Sequence, residues 1–254
     1  MKTIKTYFIS LICIIACTQV SSAIALPNEC IDYKVIYKWG LIHKQAGTAR
    51  ILLNRSGNFY SATATGKSAP WADKFYKLRD TLHTTMHAAN FMPIRYEYIA
   101  HEDGKYSHDI VNFSQSGNTV TGKCSRVRKG KKDKTATKQT TTLTAQGMTV
   151  DMLSSYFYLR SLDFDKMSPG AKKRINIFSG KRKEYLTFTY VGTQTLDFNG
   201  KKTPVYKVVF TFTSDGKKES SDPIEAWVST DSRRIPLKLI GKLKIGQVQC
   251  IYQP

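Results

Sequence analysis

Ile94-Arg95-Tyr96-Glu97-Tyr98-Ile99-Ala100-His101, followed at once by Glu102-Asp103-Gly104, is the stretch that decides the fold. Ile94, Tyr96, Tyr98 and Ala100 fall on one face, and Arg95, Glu97 and His101 on the other. That is the period of two that a half-buried strand requires. Asp103-Gly104 then supplies two residues that tolerate positive φ, as a tight hairpin demands. The same pattern recurs along the chain. Leu186, Phe188 and Tyr190 alternate with Thr187, Thr189 and Val191, Val205 to Phe212 reads likewise, and Asn199-Gly200 is a second tight-turn pair. Further turn signals stand at Asn54 to Gly57, Ser116 to Asn118, Asp215-Gly216 and Thr230-Asp231. These predict a mainly all-β chain of antiparallel strands in meander order, about a dozen of them by this spacing. A sheet that wide must curl or close, giving a large curved sheet or incomplete β-barrel.

One segment breaks the period. Leu153, Tyr156, Phe157 and Arg160 lie at i, i+3, i+4 and i+7, one stripe of a helix. Asp151 is placed to cap it, so a helix is predicted from Met152 to about Leu162. Its apolar stripe needs a partner, and the concave face of the curled sheet is the natural one. A shorter helix or irregular lid is expected around Trp71 to Tyr76.

The chain has 254 residues, 41% hydrophobic and 23% charged, with 39 Lys and Arg against 19 Asp and Glu. This composition excludes disorder, collagen and coiled coil. Lys2 and Lys5, the apolar run Tyr7 to Ala16, and small residues up to Ala25 describe a secretory signal peptide over 1–23, with cleavage after Ala23 or Ala25. The expected location is therefore the periplasm, with 24–254 as a single β-rich domain. Ile14-Ile15-Ala16-Cys17 offers an alternative, a lipoprotein anchored through Cys17. Cys30, Cys124 and Cys250 are too few for a disulfide-built scaffold. A Cys30–Cys250 bridge would tie the first strand to the last, and three unpaired thiols are equally consistent with the spacing.

Several blocks together carry a resemblance. Tyr37-Lys-Trp-Gly40 with Ala46-Gly-Thr-Ala49, Lys74 to Asp80, Asp151 to Arg160, and Ala226 to Asp231 with Arg234 to Lys238 resemble the bacterial domain-of-unknown-function family 3108, in its order and across roughly residues 31–252. The resemblance implies an exported, β-rich envelope protein and supplies no catalytic residues.

From Lys123 to Lys138 the sequence places eight basic residues against one acid, Asp133. In an exported chain the anions met are lipid headgroups, lipopolysaccharide phosphates and acidic glycans rather than nucleic acid. Arg126, Arg128, Lys129, Lys131, Lys132 and Lys134 are thus expected to form a loop contacting an anionic surface of the envelope. Lysine-rich hairpin tips that merely protect strand edges would look the same. His83, His87, His101 and His108 share one face by parity, but no carboxylate or Cys completes a compact metal motif, and no metal site or cofactor is predicted. Arg79, Asp80, Asp151 and Arg160 read either as a grip on an anionic ligand or as an internal ion-pair and capping network. No hydrolase, phosphate-loop or dinucleotide motif is present. The resulting expectation is a non-catalytic envelope protein that holds an apolar or amphipathic ligand, a lipid or glycolipid. The ligand would lie against Trp39, Trp71, Phe75, Tyr156, Phe157, Arg160 and Trp227, although these are equally good core residues. By architecture this is analogous to the bacterial lipoprotein carriers, and it requires an apolar cavity of about 300 Å³ or more. A scaffold for another envelope protein and a hydrolase of envelope glycans or lipids are the alternatives.

Overall fold

The computed structural model describes residues 25–254. The expected signal peptide and the alternative anchor Cys17 lie outside the described residues. The first half of the chain forms β1 (Glu29–Trp39), β2 (Ile42–Ser56), β3 (Phe59–Ser68), β4 (Leu78–His87), β5 (Pro93–Glu102), β6 (Lys105–Ser116), β7 (Thr119–Lys129) and β8 (Thr137–Gln146). The second half forms β9 (Thr149–Val150), the helix α1 (Ser154–Arg160), β10 (Lys172–Phe178), β11 (Lys183–Phe198), β12 (Lys201–Ser214), β13 (Ile224–Ser229), β14 (Pro236–Lys242) and β15 (Gln247–Gln253). All fifteen strands join one sheet, in the order β8 down to β1, then β15 down to β9.

Every neighbour in the sheet is also a neighbour in sequence except one pair. β1 and β15 join antiparallel, from Asp32 opposite Gln253 to Lys38 opposite Gln247, and so fuse the two meanders. Among the described residues the single parallel pair is β9–β10, because α1 lies in the connection between them and reverses the direction of return. The two free edges, β8 and β9, are consecutive in sequence, and β8 also approaches β10 and β11, so the ribbon nearly closes. The sheet is thus wider than the dozen strands expected, and of the class expected. The two predicted tight turns have left-handed geometry, with φ of 46° and 79° at Asp103-Gly104 and 51° and 74° at Asn199-Gly200.

Side chains bridge the remaining gap. A Cβ built on Gly122 of β7 would lie 2.6 Å from Cδ2 of Phe178 in β10. Phe178 fills that vacancy, fully buried, stacked on Phe113 at 5.7 Å and packed with Val120 and Ala145. Gly122→Val should therefore lower stability by about 1–3 kcal/mol through overpacking at the seam, read as a lower urea midpoint. An unchanged midpoint would show that the seam is not packed.

The meander alternates its turns between two ends. The connections β1–β2, β3–β4, β5–β6 and β7–β8 share one end, and β14–β15 lies beside β1–β2 through the Lys38–Gln247 pairing. The opposite end is plugged. There Phe157 of α1 stacks on Phe91 at 6.4 Å, Phe91 stacks on Tyr60 at 5.6 Å, and Leu26, Ile31, Leu53, Met86, Ile235 and Leu237 complete the core. α1 spans seven residues, shorter than predicted, and Met152 lies outside it in a half-exposed turn. Asp151 caps the turn as expected. Its Oδ1 accepts the Leu153 and Ser154 N–H groups, each at 2.8 Å, and its Oδ2 accepts the Thr84 hydroxyl of β4 at 2.6 Å.

The suggested Cys30–Cys250 bridge does not form. Cys30 pairs opposite Leu52 on the exposed face, whereas Cys250 sits opposite Val35, further along β1, and packs on the interior core. All three cysteines among the described residues are free.

Candidate functional site: an apolar cleft at the open end

At the open end, the inward faces of β2 and β3 carry almost no side-chain volume. Gly47 lies opposite Ser68, and Ala49 opposite Gly66. At Gly47 the strands approach so closely that a Cβ would stand 2.5 Å from the Lys67 carbonyl oxygen, so only glycine fits. At Gly66 a Cβ would meet only Leu78 Cδ2 at 3.6 Å, an ordinary contact. Around this floor stand large apolar walls: Tyr37 and Trp39 of β1, Ile42 of β2, Leu243 and Val248 near the β14–β15 turn, and Trp71, Phe75 and Tyr76 of the β3–β4 connection. Small residues facing large ones leave a cavity of about 610 Å³. That volume falls within the usual range for ligand sites, about 300–1,000 Å³.

The β3–β4 connection is the predicted lid, with a single 3₁₀ turn at Ala72–Lys74. It is held at several points. Ala69 N–H donates to Ala46 O at 2.7 Å, and the Trp71 indole N–H to Gln45 O at 2.7 Å. The Asp73 carboxylate takes Arg79 at 2.7 Å and the Ser68 hydroxyl, and the Arg79 hydrogen bond holds Asp73 below the usual carboxylate range. The Tyr76 hydroxyl donates to Glu102 at 3.0 Å; burial, then this bond, pushes it up to about 12. Lys44 lies 4.8 Å over the Trp71 ring, and Phe75 meets that ring edge-on at 6.3 Å.

Residues 32–250 match the family DUF3108, described as a protein of unknown function. The chain belongs to the DUF3108 family. Its structure is similar to that of a β-barrel-like protein of domain of unknown function DUF1849 from Brucella abortus, with TM-score 0.61 and 11% identity over 91% of this chain and 98% of that one. This likeness is one of fold. A Bacteroides fragilis protein with a YmcC-like fold aligns at TM-score 0.33 and 11% identity, over 91% of this chain and 97% of that one. The hypothetical lipoprotein YmcC from Escherichia coli aligns at 0.32 and 10%, over 90% and 88%. No curated protein matches.

In the DUF3108 chain the seven residues expected against a ligand separate into groups. Trp39, Trp71 and Phe75 line the cleft. Tyr156, Phe157 and Arg160 belong to the plug at the other end. Tyr156 shares a hydroxyl–hydroxyl hydrogen bond with Tyr33 at 2.8 Å, and Arg160, fully buried, pairs with Glu29 at 2.6 Å. Trp227 lies in β13, outside the cleft, with Lys207 at 3.3 Å and Lys238 at 5.3 Å from its ring. Sequence reasoning missed Gly47, Gly66, Tyr37, Tyr76 and Leu243. The only signal for the floor was the small-residue run Ala46-Gly-Thr-Ala49.

The basic stretch also divides. Arg126 and Arg128 continue β7 with their side chains turned inward, where both clasp Asp109, at 2.8 and 2.6 Å. Burial would raise Asp109, but the two arginines outweigh it and hold the carboxyl low. Lys131 pairs with Asp103 at 3.3 Å, and Lys129, Lys132 and Lys134 project into solvent.

The register puts His83, His87, His101 and His108 on one outer face. His83 bonds Thr63 at 2.9 Å and His108 bonds Glu97 at 2.6 Å. Among the described residues no group of three His, Cys, Asp or Glu is placed to hold a metal ion. Arg79, Asp80, Asp151 and Arg160 do not converge on one cleft. Asp80 and Glu102 share the Tyr98 hydroxyl, at 3.1 and 3.3 Å, and burial raises Asp80; neither carboxylate lines the apolar cleft.

Proposed function

We propose that this protein is an exported, non-catalytic component of the cell envelope that shelters the apolar part of an amphipathic ligand, a lipid or glycolipid, in the open-end cleft. One observation carries the reading: a cavity of about 610 Å³ walled by Tyr37, Trp39, Trp71 and Phe75 over a floor of Gly47, Ala49 and Gly66. A core would fill such a space with side chains, because interiors pack without voids of this size. Burying an acyl chain there stabilises it by about 0.8 kcal/mol per CH₂. The basic loop, represented by Lys129, Lys131, Lys132 and Lys134, would face anionic surfaces. Export rests on the leader-like residues 1–23; no helix among the described residues is long and apolar enough to cross a membrane.

Gly66→Val tests the reading. Valine suits a strand, and its branches would enter the cleft, since only Leu78 Cδ2 stands near the new Cβ, at 3.6 Å. Binding of a fluorescent fatty-acid analogue should weaken at least tenfold, with the thermal midpoint unchanged. Equal binding by variant and parent would overturn the assignment of the cleft.

A further inference from the structure

The rim of the cleft carries the most exposed large apolar side chains among the described residues. Leu41, at the β1–β2 turn, is 106% exposed and Phe75, in the β3–β4 connection, 80%. Leu243 and Ile245, at the β14–β15 turn, are 50% and 59% exposed. Three connections far apart in sequence are brought together here. Tyr37 donates its hydroxyl to the Ile245 carbonyl at 3.1 Å, and Trp71 reaches the β2 backbone at Gln45. Elsewhere the exposed apolar residues, such as Leu52, Phe59 and Val191, lie on strands away from these tips.

Charge accompanies this patch. Lys44, Lys74, Lys77, Lys242 and Lys244 are exposed around it, and Lys242-Leu-Lys-Ile245 alternates the two chemistries within one turn. The only acid in the three connections, Asp73, is already taken by Arg79. Apolar tips interleaved with unpaired lysines suit a membrane interface: the tips enter the boundary between headgroups and acyl chains, and the lysines are drawn to an anionic leaflet. A protein partner is the poorer fit, since lysine is depleted from the cores of protein interfaces.

We propose that the β1–β2, β3–β4 and β14–β15 tips form a docking face for an anionic phospholipid bilayer. Docking there sets the mouth of the cleft against the leaflet. That an acyl chain then passes between leaflet and cleft without crossing water rests on the ligand reading above; the docking itself does not.

Co-sedimentation of the protein with vesicles tests this, using phosphatidylcholine alone or mixed with one-third phosphatidylglycerol. The protein should bind the anionic vesicles and lose binding in high salt, and brominated acyl chains should quench its tryptophan emission. Leu41→Asp combined with Ile245→Asp should weaken binding at least tenfold at an unchanged thermal midpoint, because Leu41 is fully exposed. Gly66→Val should bind vesicles like the parent even where it blocks the cleft, which separates failure of the docking face from failure of the ligand reading. Undiminished vesicle binding by the Leu41/Ile245 variant would overturn the proposal. So would equal binding to neutral vesicles, or a loss seen only on changing Lys131, Lys132 and Lys134 to Gln. A parent protein that ignores both vesicles while the tips capture another protein would overturn it as well.

Discussion

Arg160→Met is expected to destabilise the protein by about 3–5 kcal/mol, the usual cost of removing one partner from a buried ion pair. Arg160 is fully buried, and its Nη1 lies 2.6 Å from Glu29, whose side chain is only 4% exposed. Its Nε and Nη2 also satisfy the Arg233 carbonyl, at 3.0 and 2.8 Å. Methionine fills much of the volume but strands a carboxylate and a carbonyl together. Arg233 would remain 3.1 Å from Glu29, yet its own side chain is 41% exposed and it offers a single donor. The double variant Glu29→Gln with Arg160→Met should recover at least half of the loss, because the stranded charge is gone. Urea unfolding of parent, single and double variants checks this. A single-variant cost below about 1 kcal/mol would show that Arg233 satisfies Glu29 unaided.

What the sequence made legible was whatever depends on near neighbours. Tyr96 and Ala100 face inward and Arg95 and His101 outward, because alternation is a property of one strand. Asp151 takes the Leu153 and Ser154 N–H groups in the turn that leads into α1, because such a cap concerns only the next few residues. The pairing of β1 with β15 is different in kind. Nothing local in Asp32 to Lys38 specifies Gln247 to Gln253, and the pairing arises from closing a ribbon with too many strands to stay flat. The basic stretch misled for the same reason. Arg126 and Arg128 read as loop, but β7 runs through them, and its alternation turns both toward Asp109 of the neighbouring strand. In the cleft, Trp39, Trp71 and Phe75 were visible as large apolar residues, but so were Tyr156, Phe157 and Trp227, and residue type does not separate wall from core. The floor was harder still. Gly47, Ala49 and Gly66 form a void only because register sets them side by side, and a missing side chain gives no signal until its cross-strand partner is known.

Asp151 sets a pH dependence with an unusual sign. Burial pushes its carboxyl from 3.8 up to about 6, against the opposing hydrogen bonds from Thr84, Ser154 and Leu153. A raised folded-state value means that between about pH 4 and pH 6 the folded protein holds a proton the unfolded chain has released. Stability from this group therefore falls as pH rises through that window and is level above it. The whole effect is on the order of 3 kcal/mol, at 1.36 kcal/mol per unit. Asp151→Asn keeps an oxygen for the Leu153 and Ser154 N–H groups, lets its amide donate to the Thr84 hydroxyl oxygen, and removes the charge. The variant should be at least as stable as the parent at pH 7, and the difference between the two should shrink toward zero as pH falls from 6 to 4. Asp73 and Asp109, held low by arginines, act with the opposite sign at lower pH, and Asp80, raised by burial, with the same sign. All three are common to both proteins and cancel in the difference. Chemical unfolding at half-unit pH steps gives that difference directly. A variant less stable than the parent at every pH would mean that the cap needs the full negative charge, and that the buried carboxylate is held ionised by its donors.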